Sequence, residues 1–380
     1  MDFKMKKTLA ALAVLGAFAG SAMAADVTLY GALDTGFEYK HTKLTGDKAV
    51  DKFDMQTGWD TGNRWGLKGS EDLGNGYKVG FKLESGFNGD DGTMGQGSRL
   101  FGREAGLTLY GPFGSLGFGR FGGIASAAGT YDLIGYVDSF DGGDNNVWGF
   151  AASSRYDNVV AYQTPRFAGL QLTAQYSFKT DSSATAATYS GDEGTSAAKR
   201  YASIGVSGDY GAAQFAAGYE LTKYGANASG IREVADKDGS LVFVGGNYNF
   251  EVVRVYAEAQ YFEGLSGIKN AYNDEFTKGD PSSDGLKGYG LHLGAKAPIA
   301  AGTLTAGLYY VDGKQDFTST ADQDFKYYGV SARYVYPLSK RTSVYGGAGY
   351  GQTSVDNAAA NGSDEDTKLV QAYVGLSHTF

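Results

Sequence analysis

Cysteine is absent from this 380-residue chain, proline occurs 5 times and histidine 3 times. Without cysteine there is no disulfide framework and no thiolate metal site. His41, His292 and His378 lie far apart in sequence with no His-x-x-His spacing, so no metal is expected. No GxSxG elbow, phosphate-binding loop or triad spacing occurs, and the chain is read as not an enzyme, with no cofactor. Beyond the N-terminus no run of about 18 apolar residues appears, which excludes a membrane-spanning helix. Positive charge is in deficit as well. With 33 Lys+Arg against 42 Asp+Glu the net charge is −9, which argues against nucleic acid as a partner.

What the chain does have begins with a processing signal. Lys6 and Lys7 precede the apolar run "TLAALAVLGAFAG", and Ala22-Met23-Ala24 supplies small residues at the cleavage positions. Residues 1–24 are read as a secretory signal peptide, leaving 25–380 as one exported domain. Losing three lysines and one aspartate takes the net charge from −9 to −11. Glycine (59), tyrosine (28) and phenylalanine (22) are abundant, and both glycine and aromatics lower helix propensity. The mean hydropathy of −0.29 is slightly polar. That still permits one kind of membrane protein, the β-barrel, whose strands show only half their residues to lipid.

Alternation is strong. In "LQLTAQYSFK" Leu170, Leu172, Ala174, Tyr176 and Phe178 share one face, opposite Gln171, Thr173, Gln175 and Ser177. "VVRVYAEAQY" and "YGLHLGAKA" follow the same period of two, which means sheet. About sixteen such strands are expected between 26–40 and 368–380. Short connections such as "YGPFG" and "PLSK" alternate with long polar ones at 41–61, 180–199, 263–286 and 353–367. That rhythm suits an outer-membrane barrel with tight periplasmic turns and long outer loops. Backbone groups in lipid must all be paired, so a closed barrel is the sheet architecture allowed. Tyrosines crowd the strand ends, as in aromatic girdles. A soluble β-sandwich would carry more Lys and Glu on its second face, where this chain has Gly, Thr, Ser, Gln and Tyr.

One stretch departs from the alternation. "YDLIGYVDSFDGGD" (131–144) sets Asp132, Asp138, Asp141 and Asp144 among Leu133, Ile134, Val137 and Phe140. Read against its neighbours it is a loop. Opposite charge stands elsewhere: Arg64 and Lys68 lie on the polar parity of "RWGLKGS", and Arg155 on that of "RYDNVVAY". Arg254 and Arg333 are lumen-facing by the same parity and read as ordinary solvated charges. Arg120 breaks parity, since Leu116 and Phe118 share its side, and reaches a lumen only through a bulge at Gly119.

"DVTLYGALDTGFEY", "GNRWGLKGSEDLGNGYKVGFKLESGF", "LFGREAGLTLYGPFGSLGFGR", "SRYDNVVAYQTPRFAGLQL" and "VGLSHTF" span nearly the whole mature chain. On these motifs the chain resembles the Gram-negative general porins, most closely those of betaproteobacteria. The resemblance implies an all-β, sixteen-stranded antiparallel transmembrane barrel in the outer membrane. Its third extracellular loop, about 122–153, would fold inward as a constriction. It implies an arginine wall of Arg64, Arg120 and Arg155, joined by Lys68 on the parity of Arg64, facing an acidic loop that carries Asp138 and Asp141. Asp132 and Asp144 would be wall or loop-mouth charges. Phe380, ending an amphipathic strand, resembles the signal that engages the barrel assembly machinery. Expected partners are two further copies in a homotrimer, outer-membrane lipid, lipopolysaccharide and small hydrophilic solutes. The implied function is passive diffusion of ions and small hydrophilic solutes through a water-filled channel. A channel selective for a sugar or a carboxylate is the alternative.

Overall fold

The computed structural model describes residues 26–127, 129–144, 147, 150–183, 191–227, 229–268, 282–317, 322–356 and 364–380. The signal peptide read at 1–24 lies outside them. Seventeen strand segments are described: β1 (Thr28–Leu44), β2 (Val50–Thr57), β3 (Arg64–Gly74), β4 (Tyr77–Gly86), β5 (Glu104–Gly111), β6 (Gly114–Gly122), β7 (Arg155–Gln163), β8 (Leu170–Ser177), β9 (Arg200–Tyr210), β10 (Ala213–Lys223), β11 (Gly239–Asn249), β12 (Arg254–Leu265), β13 (Ser283–Ile299), β14 (Gly302–Phe317), β15 (Gln323–Pro337), β16 (Thr342–Val355) and β17 (Glu365–Thr379).

From β3 to β17 each strand pairs antiparallel with the next. β1 closes the ring, with β17 on one edge and β3 on the other. β2 adds no seventeenth wall position, because it pairs with β1 beyond the stretch that β3 covers. The wall is therefore sixteen strands in a closed barrel with no free edge in lipid. β2 lies inside the region 41–61 expected to be loop. Its sequence "VDKFDMQT" keeps Phe53 and Met55 exposed on the outer face beside Phe37 and Tyr39 of β1, but Asp51, Lys52 and Asp54 interrupt the apolar alternation.

Burial is inverted relative to a soluble protein. Leu172, Ile204, Val244, Leu291, Leu308 and Val374 are exposed, while Gln175, Glu220, Glu258, Gln260, His292 and Gln371 are buried. Apolar side chains thus face outward to lipid, and polar ones face in. The seam is finished by Phe380, whose backbone exchanges two hydrogen bonds of 3.1 Å with Gly31.

The long connection between β6 and β7 packs on the inner side. Leu133, Ile134, Val137, Phe140, Val147 and Phe150 form one apolar cluster with Phe243, Phe262, Tyr309 and Tyr327 of the wall. Tyr131 joins Phe121 edge-on at 5.2 Å. Hydrogen bonds pin the connection along its length. Ala125 N–H donates to Glu220, Ala151 N–H to Gln260, and the Asn247 amide to the Tyr136 carbonyl.

Candidate functional site

A cavity of about 840 Å³ lies between this connection and the facing wall. Four cations from the wall side line it: Arg64 at the start of β3, Lys82 on β4, Arg103 just before β5, and Arg155 at the start of β7. Arg64, Lys82 and Arg103 are held by carboxylates rather than left loose. Arg103 Nε donates to Glu84 at 2.7 Å, and Arg64 Nε lies 3.9 Å from the same carboxylate. Lys82 Nζ sits 2.9 Å from Glu104 and 3.7 Å from Glu84. Arg64 also donates to the Gly62 carbonyl at 3.0 Å and the Thr61 hydroxyl at 3.2 Å.

Arg64 and Arg155 both line this cavity. Lys68 does not join them: it lies four residues further along β3, over the Tyr30 ring at 5.1 Å. There it lines a second cavity, of about 340 Å³. Arg120 does turn inward, since the register of β6 slips between Gly119 and Phe121 and Gly119 adopts φ +138°. Such a bulge re-aims a side chain. Its guanidinium is nevertheless taken by Asp157 at 2.5 Å and the Gly102 carbonyl at 2.8 Å, and Arg99 grips the same carboxylate. Arg120 does not line the 840 Å³ cavity.

The four aspartates of the connection divide into two pairs. Asp132 and Asp141 line the cavity. Burial raises both carboxyls above the ordinary range, Asp132 well above it. The neighbouring Asp141 charge adds to the rise at Asp132, whereas Lys296 partly offsets it at Asp141. Asp138 and Asp144 point away from the cavity into the wall contact. Asp138 is 1% exposed, accepts from Phe140 N–H at 2.6 Å and from the Tyr309 hydroxyl at 3.2 Å, and lies 3.9 Å from His292 Nε2. Asp144 accepts from the Tyr373 and Ser331 hydroxyls and lies 3.6 Å from Arg333. The expectation that Asp138 faces the basic wall is corrected: its carboxylate anchors the loop, and Asp132 occupies the lining position instead.

Five charged lining groups, Asp60, Lys82, Glu84, Arg103 and Lys296, are not among the site residues expected from the sequence. Lys82 could have been, because Val79, Phe81 and Leu83 set its parity inward. Arg103 could not, since it precedes the strand that would define its face. Asp60 falls in the region 41–61, where the sequence predicts a loop. With Lys296 and Arg333 on the far side, six cations line the cavity against four carboxylates, Asp60, Glu84, Asp132 and Asp141. The local balance is thus positive although the whole chain is acidic.

Residues 10–357 match the family described as Gram-negative porin. An outer membrane porin protein of Bordetella pertussis is 35% identical over 409 residues, covering 99% of this chain and 100% of that protein. Outer membrane porin protein 32 of Delftia acidovorans is 32% identical over 90% of this chain and 88% of its own length. Among solved structures, the anion-selective porin from Comamonas acidovorans superposes with a TM-score of 0.66 at 26% identity. The match covers 94% of this chain and all of that one.

Proposed function

Because this chain belongs to the Gram-negative porin family, we propose that its charged cavity is the selectivity filter of an outer-membrane diffusion channel with a modest preference for anions. Passage of ions and small hydrophilic solutes through the outer membrane is the family's function, and a sixteen-stranded barrel leaves room for water. The filter reading rests on one observation: basic side chains from β3, β4 and β7 share a single cavity with Asp132 and Asp141 of the inward-packed connection.

Opposed charges across a wet gap create a transverse field, and charge rings of this kind set selectivity. Polar solutes align their dipoles in it and exchange hydration for side chains. Apolar solutes disturb the ordered water and pass poorly. Guanidinium groups stay charged at every relevant pH. Six cations against four carboxylates tip the balance toward anions. The filter consumes no energy source and performs no bond chemistry. A homotrimer, assembled through recognition of the strand that ends in Phe380 and surrounded by lipopolysaccharide, is part of the same proposal, as is removal of residues 1–24.

Single-channel recording of the purified protein across a salt gradient is the test. An ohmic conductance with a reversal potential on the anion side is expected. Saturation by one sugar or carboxylate would instead identify a substrate-selective channel, and absence of conductance would end the filter reading.

A further inference from the structure

The wall strand formed by β2 and β3 is interrupted, and the interruption turns inward. Thr57 pairs with Thr35, and Arg64 with Ala32, so only Leu33 and Asp34 of β1 stand opposite the six residues 58–63. A continuous strand would need two residues there. The surplus leaves the ladder at Gly58, whose φ of +78° is the left-handed conformation glycine adopts without penalty. Leu33 faces outward and is exposed, whereas Asp34 is fully buried, and the segment folds to the side of Asp34.

It is fastened there at several points. The Asp34 carboxylate accepts from Asp60 N–H at 2.9 Å, from Thr61 N–H at 2.8 Å and from the Tyr345 hydroxyl. Trp59 stacks on the inward-facing Tyr373 at 4.5 Å. Arg333 of β15 then joins this segment to the connection between β6 and β7. Its guanidinium donates to the Trp59 carbonyl at 2.5 Å and lies 3.7 Å from Asp60. On its other side it lies 3.6 Å from Asp144 and 5.2 Å from the centre of the Phe140 ring.

We infer that residues 58–63 are a second constriction element, in which Asp60 is a selectivity-determining carboxylate and Arg333 is the positioning residue that fixes this element against the β6–β7 connection. The inference rests on the filter reading above and extends it to residues outside that connection. A strand needs no such insertion to complete the wall. The insertion places Asp60 and Thr61 in the lining of the same cavity as Arg64 and Asp141. Arg333 is planar and forked, so its rigid guanidinium faces the Trp59 carbonyl, Asp60 and Asp144 from fixed directions, an orientation that the single ammonium of lysine does not impose.

The chain has no cysteine, so Asp60→Cys provides a unique label. Modification of that channel with a charged methanethiosulfonate reagent is expected to lower single-channel conductance in a discrete step. Asp60→Asn is expected to raise the anion-to-cation permeability ratio by roughly twofold to fourfold, as a nearby charge in screened water would. An unchanged ratio in Asp60→Asn, alongside a shift in Asp141→Asn, would overturn the role of Asp60 and leave the filter standing. No shift in either would remove the filter itself. For Arg333, Arg333→Lys keeps the charge and loses the fork. Greater open-channel noise at an unchanged permeability ratio is expected, and a quiet channel would refute the positioning role. Should that variant fail to assemble, Phe140→Leu removes the ring beside the guanidinium and gives the same readout.

Discussion

Replacing Asp141 with asparagine removes one negative charge from the filter and changes little else. Asp141 adopts φ +55°, a conformation asparagine tolerates well, so the turn should persist. An ion passing about 6 Å from that carboxylate at the dielectric of water feels about 0.7 kcal/mol. At 0.1 M salt, with a screening length of about 10 Å, roughly 0.4 kcal/mol remains. That is about a factor of two for a cation and the same factor, inverted, for an anion. The permeability ratio should therefore move toward anions by about fourfold, read as reversal potential across a potassium chloride gradient. Asp138→Asn supplies the contrast. Its carboxylate is buried against Tyr309 and His292, and an ion passing about 10 Å away on the far side of the loop would feel under half of that effect. Its ratio should shift by less than about twofold. Equal shifts in the two variants would refute the assignment of Asp138 to the anchor and Asp141 to the lining.

Other outcomes follow from the same geometry. Arg64→Gln, Arg103→Gln and Arg155→Gln should each move the ratio toward cations by a similar factor. Arg120→Gln should leave it unchanged and destabilise the fold by about 2 kcal/mol, since Asp157 loses one of its charged donors; thermal melting in detergent reads that loss. Because the Asp132 and Asp141 carboxyls are raised, they take up protons at a higher pH than a free aspartate near 3.9. Acidification should strip negative charge from the filter and increase anion preference, and Asp132→Asn combined with Asp141→Asn should flatten that pH dependence. Phe380→Ala keeps the two backbone bonds to Gly31 but removes the terminal ring, and should lower the folded, heat-modifiable band recovered from outer membranes.

Strand alternation was legible because lipid imposes it: every second residue of a wall strand meets hydrocarbon, so Leu291 and Leu293 must alternate with buried His292. Where charge interrupts the alternation, that signal weakens. β2 shows only Phe53 and Met55 on its outer face, and Asp51, Lys52 and Asp54 hide a strand that only pairing with β1 reveals. Arg103 precedes the first residue of β5, so nothing in its parity could orient it, whereas the parity of Lys82 could and did carry the information. In the connection between β6 and β7 no period exists at all. Four aspartates among apolar residues announce a loop folded against something apolar, but which carboxylates anchor and which line depends on partners more than 150 residues away.

Those partners explain why the division falls as it does. A carboxylate leaves water at small cost only where donors are already waiting. The wall offers the Tyr309 hydroxyl to Asp138, and the Tyr373 and Ser331 hydroxyls with Arg333 to Asp144. Asp132 and Asp141 are turned to the cavity instead, where Lys296 and the basic wall face them. Arg333, read from parity as an ordinary solvated charge, is instead 9% exposed and spent on holding Trp59, Asp60 and Asp144 together. Fixed anchors of this kind are what allow the remaining charges to act as a filter, because a field across a gap sorts ions only while its width is held constant.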